Sequence, residues 1–132
     1  MCFDHQYGHY FGALDYFTHI RDGQADWYRN DQPLKESGYT TELLASEAVR
    51  LIQDRQTRGT DKPLFLYVPF NGVHAPLQVP DRYLAPFQNI KGNRRTYAGM
   101  LAAVDEAIGR IVAALRDAGQ LNNTLIRSEE HT

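Results

Sequence analysis

One short apolar run restricts the possible folds of this chain more than any other feature. Residues 64–68 are all apolar or aromatic, and Pro63 and Pro69 bracket them. A run of five is too short for an independent helix and is typical of a strand buried on both faces of a parallel sheet. Because a lone strand leaves its backbone groups unpaired, we expect the remaining strands of the sheet to lie outside this chain.

Two amphipathic helices are predicted on either side of this strand. The first begins near residue 41, with Thr40 or Thr41 as its N-cap and Gly59 near its end. The second runs from about 93 to 118, with Gly119 following it. An alternation of helices and buried strands is typical of an α/β layer protein, and this is the predicted fold class.

The other segments show no lasting periodicity. Residues 1–39 and 70–92 are predicted to be irregular, with the first anchored by aromatic side chains. Residues 123–126 predict the beginning of another buried strand, but residues 127–132 are polar and continue no strand pattern. We therefore expect 127–132 to be a non-native tail.

Composition excludes several classes of protein. The chain has 132 residues, of which 42% are hydrophobic, so it has more apolar surface than a disordered segment. Its 14 basic and 16 acidic residues argue against a nucleic-acid partner. No apolar stretch is long enough to span a membrane.

His74 is the first candidate for chemistry, because it follows the predicted strand. Ligands of α/β sheets bind beyond the carboxyl ends of the strands, and loops there carry functional residues often. An imidazole at this position could bind an anion or protonate a leaving oxygen. The alternative is a structural histidine bonded to backbone carbonyls.

Other polar residues give weaker signals. His19 is a candidate for substrate binding, because residues 15–19 have the character of a pocket wall. His5 and His9 have the spacing of a zinc-protease motif, but Gln6 replaces its glutamate, and hydrogen bonding in a packed aromatic loop is the preferred interpretation. Four scattered acids are expected to be solvated: Asp15, Asp22, Asp26 and Asp31.

Several motifs together resemble type I sulfatases, and the arylsulfatase B branch in particular. Their spacing matches over nearly the whole chain up to residue 126. They are Phe3-Asp4 with Tyr7-Gly8, then 12–19, Lys62 to Tyr67, Val73 to Pro80, Tyr97 to Met100 and Val104 to Gly109.

The resemblance implies an alkaline-phosphatase-like α/β domain, incomplete here, that hydrolyses the sulfate ester of a sugar or an aryl alcohol. The family uses a formylglycine nucleophile and a calcium ion held by oxygen ligands. His74 matches the family histidine that contacts the sulfate and assists the departing alkoxide. A secreted, periplasmic or lysosomal location is implied for the full-length enzyme.

The departures from the family pattern indicate an internal fragment. Cys2 is not in the formylglycine motif, and the calcium ligands and the nucleophile are expected outside the chain. We therefore predict that 1–126 is part of a sulfatase catalytic domain and that the fragment alone is inactive. A phosphodiesterase or phosphonate hydrolase of the same superfamily and a non-enzymatic helical interaction module are the alternatives.

Overall fold

The computed structural model describes residues 3–59 and 61–128. Two α-helices form its framework, α1 at Thr40–Arg58 and α2 at Asn93–Asp117, and they pack against each other. Cys2 and residues 129–132 lie outside the described part, so the predictions made for them are not addressed by the fold.

Helix α1 ends where the sequence predicts but begins differently. Gly59 follows it in the left-handed conformation, at φ 60°, which glycine adopts without a steric penalty. Its N-cap is Tyr39, and no side chain caps the helix, so the prediction of a threonine N-cap is wrong. Thr40 instead donates its hydroxyl proton to the Asn71 side-chain oxygen, 3.0 Å away, because its buried side chain faces the interior.

Helix α2 confirms the predicted second helix. It has 25 residues, and Met100, Ala103 and Ala107 are buried along one face. Gly119 lies just beyond its end with φ 68°, as predicted for a residue that terminates a helix.

Five two-residue strands make the described part of this region, residues 3–39, more regular than predicted. Strands β1, β4 and β5 form one antiparallel sheet, and β2 pairs with β3 in a second. Strands this short lack the alternation by which a sequence reveals a strand, and that is why the prediction of an irregular region is wrong. Their bounds are Tyr7–Gly8 for β1, Ile20–Arg21 for β2, Gln24–Ala25 for β3, Tyr28–Arg29 for β4 and Gln32–Pro33 for β5.

The predicted buried strand at 64–68 is not formed within the described residues. This segment has no strand partner there, and Phe65 and Tyr67 are 76% and 65% exposed. A strand exists only by pairing, so the pattern alone does not produce one. The strand expected from 123 is also absent, because Leu121–Asn123 is a 3-10 turn and Leu125 is exposed.

Residues 70–92 are largely irregular, as predicted, with 3-10 turns at Asp81–Tyr83 and Ala85–Phe87. Three apolar clusters hold the two helices and the loops together. The first packs tyrosines from the loops against the start of α1 and the middle of α2. The clusters are Tyr16, Tyr39, Tyr83, Met100 and Ala103; then Leu14, Trp27 and Leu44; then Ile52, Ala114 and Leu115.

Candidate functional site

His74 lies in a tight turn that follows the apolar segment. The turn is closed by a hydrogen bond of 2.9 Å from the His74 N–H to the Asn71 carbonyl. The side chain of His74 is exposed, and its Nδ1 is 2.8 Å from the Ala75 carbonyl oxygen. The structure therefore presents the imidazole at the surface of a closed turn.

The contact with Ala75 assigns the proton of the neutral imidazole. A carbonyl oxygen only accepts, so Nδ1 must donate and carries the hydrogen. Nε2 then holds the lone pair, and it becomes a second donor when the ring is protonated. Such a ring is able to bind an anion or to give a proton to a leaving oxygen.

A buried tyrosine forms hydrogen bonds to the backbone of this turn. Tyr16 is fully buried, and its hydroxyl oxygen is 2.7 Å from the Asn71 carbonyl and 2.9 Å from the His74 carbonyl. The same oxygen accepts from the His74 N–H at 3.2 Å. One side chain thus contacts the backbone at both ends of the turn.

The other end of the 71–78 loop is hydrogen-bonded to the segment that contains Tyr16. The Tyr16 N–H donates to the Gln78 side-chain oxygen at 2.8 Å, and the Gln78 amide donates to Asp15 Oδ2 at 2.6 Å. Asp15 also accepts from the N–H groups of Thr18 and Phe17, at 2.7 and 3.0 Å. Residues 15–18 and 71–78 are therefore joined through side-chain hydrogen bonds.

Asp15 stays ionised down to low pH because of these donors. Burial by itself would raise its pKa, but the hydrogen bonds from Gln78, Thr18 and Phe17 outweigh it and hold the pKa at about 2. Asp26 is buried and accepts from the N–H groups of Tyr10 and Phe11. The expectation of a solvated carboxylate is wrong for Asp26, whereas Asp15 is only half-buried and both Asp22 and Asp31 are exposed.

Both helices also contact these two segments, α1 at Tyr16 and α2 at Gly72. The Thr40 N–H, at the start of α1, donates to the Tyr16 carbonyl at 3.0 Å. On the side of α2, a Cβ added to Gly72 would come within 2.9 Å of the Val104 side chain. Any side chain at position 72 would require Val104 to shift, so the loop lies directly on α2 at this point.

His19 lies inside the protein rather than on a pocket wall. It is 2% exposed, its ring stacks on Trp27 with centroids 4.4 Å apart, and its Nε2 is 2.9 Å from the Gly38 carbonyl. This nitrogen therefore donates to the backbone. The substrate-binding role of His19 stays a prediction.

His5 and His9 face different partners. His5 Nε2 is 2.8 Å from Glu47 on α1, which also forms ion pairs with Arg29 and Arg50. His9 Nδ1 is 2.5 Å from the Phe11 carbonyl, and its ring stacks on Trp27. His9 therefore bonds within the aromatic loop region, as the sequence interpretation favoured, whereas His5 bonds to helix α1 outside that region.

The described residues do not provide a metal site. No three histidine, cysteine, aspartate or glutamate side chains in 3–59 and 61–128 come together as ligands. These side chains therefore form no cluster of ligands for the calcium ion that the resemblance implies. In the same part of the chain, neither helix has the length and apolar character that a bilayer crossing needs.

The sequence indicated His74 but missed the residues that fasten its loop. Tyr16 and Gln78 contact partners 58 to 63 positions away, and no local pattern encodes such contacts. A signal was present, because both segments belong to the motifs that resemble the sulfatase family. That resemblance did not say that the two segments touch.

The comparisons with known proteins agree on the family. A model of the sulfatase family matches residues 2–127. Arylsulfatase J of Mus musculus is 37% identical over an alignment of 133 positions. The alignment covers 94% of this chain and 22% of that protein. N-acetylgalactosamine-6-sulfatase of Sus scrofa is 31% identical over 86 residues, covering 65% of this chain and 15% of that protein.

A solved structure gives the same result for the fold. The crystal structure of Ps i-CgsB in complex with k-i-k-neocarrahexaose superposes with a TM-score of 0.79 at 34% identity. The superposition covers 89% of this chain and 30% of that one. The two relatives found by sequence are sulfatases, a class of hydrolase. This chain belongs to the sulfatase family, and it spans less than a third of the length of these relatives.

Proposed function

We propose that the enzyme to which this chain contributes hydrolyses a sulfate ester of a sugar or an aryl alcohol. His74 would contact the sulfate and protonate the oxygen of the departing alcohol. The observation that carries this proposal is the exposed imidazole on a turn fastened from three sides, with its Nδ1 hydrogen committed to the Ala75 carbonyl. Family membership supplies the reaction class.

The chemistry of His74 follows from this tautomer. In its protonated form the ring carries a hydrogen on Nε2 as well, and it donates that hydrogen to the leaving oxygen as the sulfur–oxygen bond breaks. The resulting neutral ring keeps Nδ1–H on Ala75, so the transfer needs no rotation of the side chain. Its positive charge before transfer also favours binding of the sulfate anion.

The remaining groups of the reaction are proposed to come from outside the chain. Within the alkaline-phosphatase-like α/β domain that the family resemblance implies, a formylglycine nucleophile and a calcium ion would supply the attack and the polarisation of the ester. Removing the central groups of an active site forfeits most of the rate. We therefore expect no measurable turnover from the 132-residue chain alone.

The substrate class rests on the names of the relatives. They include an arylsulfatase, an N-acetylgalactosamine-6-sulfatase and a protein solved with the oligosaccharide k-i-k-neocarrahexaose. We propose a sulfated sugar or an aryl sulfate ester on this basis. A secreted, periplasmic or lysosomal location for the whole enzyme fits such substrates.

The test uses the protein encoded by the open reading frame that contains this chain, sequenced through both ends of it; we call this the extended protein. It is assayed with para-nitrophenyl sulfate, para-nitrophenyl phosphate and a sulfated disaccharide. We expect hydrolysis of the sulfates, with His74→Ala lowering kcat on the sulfated disaccharide, whose alkoxide must be protonated, by roughly 10²–10⁴-fold. The control His9→Gln, at a half-buried histidine outside the site, keeps kcat within about threefold.

Three outcomes would contradict the proposal. Faster hydrolysis of the phosphate ester would favour the phosphodiesterase alternative. A frame that encodes no nucleophile, with no hydrolysis of any ester, would favour the interaction module. Retention of kcat within about tenfold on the sulfated disaccharide in His74→Ala would remove His74 from the reaction and leave the sulfatase assignment standing.

A further inference from the structure

The hydroxyl of Tyr16 occupies an unusual place for a buried tyrosine. It contacts three backbone groups of a single turn, the carbonyls of Asn71 and His74 and the N–H of His74. A hydroxyl has one hydrogen to donate and lone pairs that accept. It donates to a carbonyl, with Asn71 at the shorter distance of 2.7 Å, while accepting from the His74 N–H.

The Tyr16 hydroxyl also helps to close the turn at 71–74. The His74 N–H lies 2.9 Å from the Asn71 carbonyl and 3.2 Å from the Tyr16 oxygen, so it has two acceptors at once. Burial raises the pKa of Tyr16 to about 12, and the hydroxyl therefore stays a neutral donor at any pH at which the enzyme would work. The backbone of the histidine is held by this group directly.

Tyr16 is itself held firmly at every point. Its N–H donates to Gln78, its carbonyl accepts from Thr40 at the start of α1, and its ring stacks on Tyr39 with centroids 5.4 Å apart. Because its backbone and ring are fixed, the hydroxyl of Tyr16 can hold the turn at 71–74 in place.

We propose that Tyr16 is a positioning residue for His74, whose hydroxyl keeps the turn at 71–74 in the one arrangement that aims the imidazole at the leaving oxygen. This inference rests on the proposed function. Proton transfer depends steeply on the distance and angle between donor and acceptor, so a small loosening of the turn slows it. Tyr16 does not touch the substrate and acts through His74.

The test removes the hydroxyl and keeps the ring. In the extended protein, Tyr16→Phe is compared with Tyr39→Phe, a second buried tyrosine whose hydroxyl donates to the Gln78 carbonyl at 3.1 Å, away from His74. Each variant is assayed with para-nitrophenyl sulfate, whose leaving group needs little protonation, and with a sugar sulfate, whose alkoxide needs it most.

A selective loss is expected for Tyr16→Phe. Its kcat should fall about 10- to 100-fold on the sugar sulfate and less than about threefold on para-nitrophenyl sulfate, with KM within threefold on both. Tyr39→Phe should change the two substrates equally. The ratio of the two rates does not depend on the folded fraction, so a variant that is poorly folded still gives an answer.

A double variant adds a second measurement. Because Tyr16 acts through His74, Tyr16→Phe should cause no further loss in a His74→Ala background. Equal losses on both substrates, or additive losses in the double variant, would overturn the positioning role and leave the proposed function intact. A wild-type enzyme without sulfate-ester hydrolysis would overturn the proposed function, and this inference with it.

Discussion

The carboxylate of Asp15 shows how a single residue fastens the site. It accepts hydrogen bonds from Gln78, Thr18 and Phe17, and these stabilise its charged form enough to hold its pKa at about 2. Gln78 in turn accepts from the N–H of Tyr16. One ionised side chain therefore links the turn at 15–18 to the loop that carries His74.

The depressed pKa of Asp15 makes stability depend on acid pH. An aspartate titrates near 3.9 in an unfolded chain, so the contribution of Asp15 is complete above about pH 4 and is lost as the pH falls through about 2. Asp15→Asn should cost about 1–2 kcal/mol at neutral pH. Its thermal midpoint should fall less steeply than that of the wild type between pH 4 and 2.

The matched control for this measurement is Asp22→Asn. The side chain of Asp22 is 89% exposed and pairs only loosely with Arg21, at 3.3 Å, so its loss should change stability by less than about 0.5 kcal/mol. Thermal unfolding of the extended protein is followed from pH 7 to 2. Parallel pH profiles for wild type and Asp15→Asn would show that Asp15 is not held ionised by its donors.

At the scale of elements, helices and strands differ in where their backbone hydrogen-bond partners come from. Helices α1 and α2 make their backbone hydrogen bonds within themselves, so periodicity and terminal glycines are enough to locate them. The segment at 64–68 has an equally clear apolar pattern but lacks a partner in the described residues. Only the self-sufficient elements could be located from the sequence, and of their ends the N-cap of α1 was still predicted wrongly.

Two glycines, one at the end of α1 and one within α2, test how the helix backbone depends on glycine. Gly59 has φ 60°, where a side chain is strained, so Gly59→Ala should destabilise the protein by about 1 kcal/mol. Gly109 lies within α2 with no atom within 4 Å of an added Cβ, and Gly109→Ala should stabilise by about 0.5–1 kcal/mol. Thermal unfolding of the extended protein measures both, and shifts of the same sign would contradict the assignment.

At the scale of the whole molecule, the described chain exposes much apolar surface. Phe65 is 76% exposed, Leu101 is 54% exposed and Leu125 is 92% exposed. Leu101 lies with Phe87, Val104 and Ile108 along an open apolar groove on α2. Contiguous apolar surface of this kind is uncommon on proteins that stay monomeric.

The 132-residue chain by itself is therefore expected to self-associate and to unfold without a cooperative transition. Light scattering on a size-exclusion column gives its mass, and a thermal scan gives its cooperativity. Replacing Phe65 and Leu101 with serine should reduce association, whereas Met100→Ser, at a fully buried position, should increase it. A monomer with a sharp transition would show that the chain is stable without further chain around it.

The candidate site was predictable in part. His74 could be found because it follows an apolar segment and lies in a motif that resembles the sulfatases, and both signals are local. The paired strands of residues 1–39 could not, because two-residue strands such as β1 and β4 carry no period of their own. Thr40 was expected to cap α1, but the fold uses its hydroxyl to bind Asn71.

By itself the sequence determined the two helices, their terminating glycines and the family, and it proposed His74 as the candidate histidine, because each of these rests on patterns that can be followed directly along the chain. The tertiary structure decided which groups hold that histidine. Tyr16 and His74 are 58 residues apart, and Asp15 and Gln78 are 63 apart. Hydrogen bonds over such separations form only when the helices have packed and brought both loops to the same place, so no local pattern announces them.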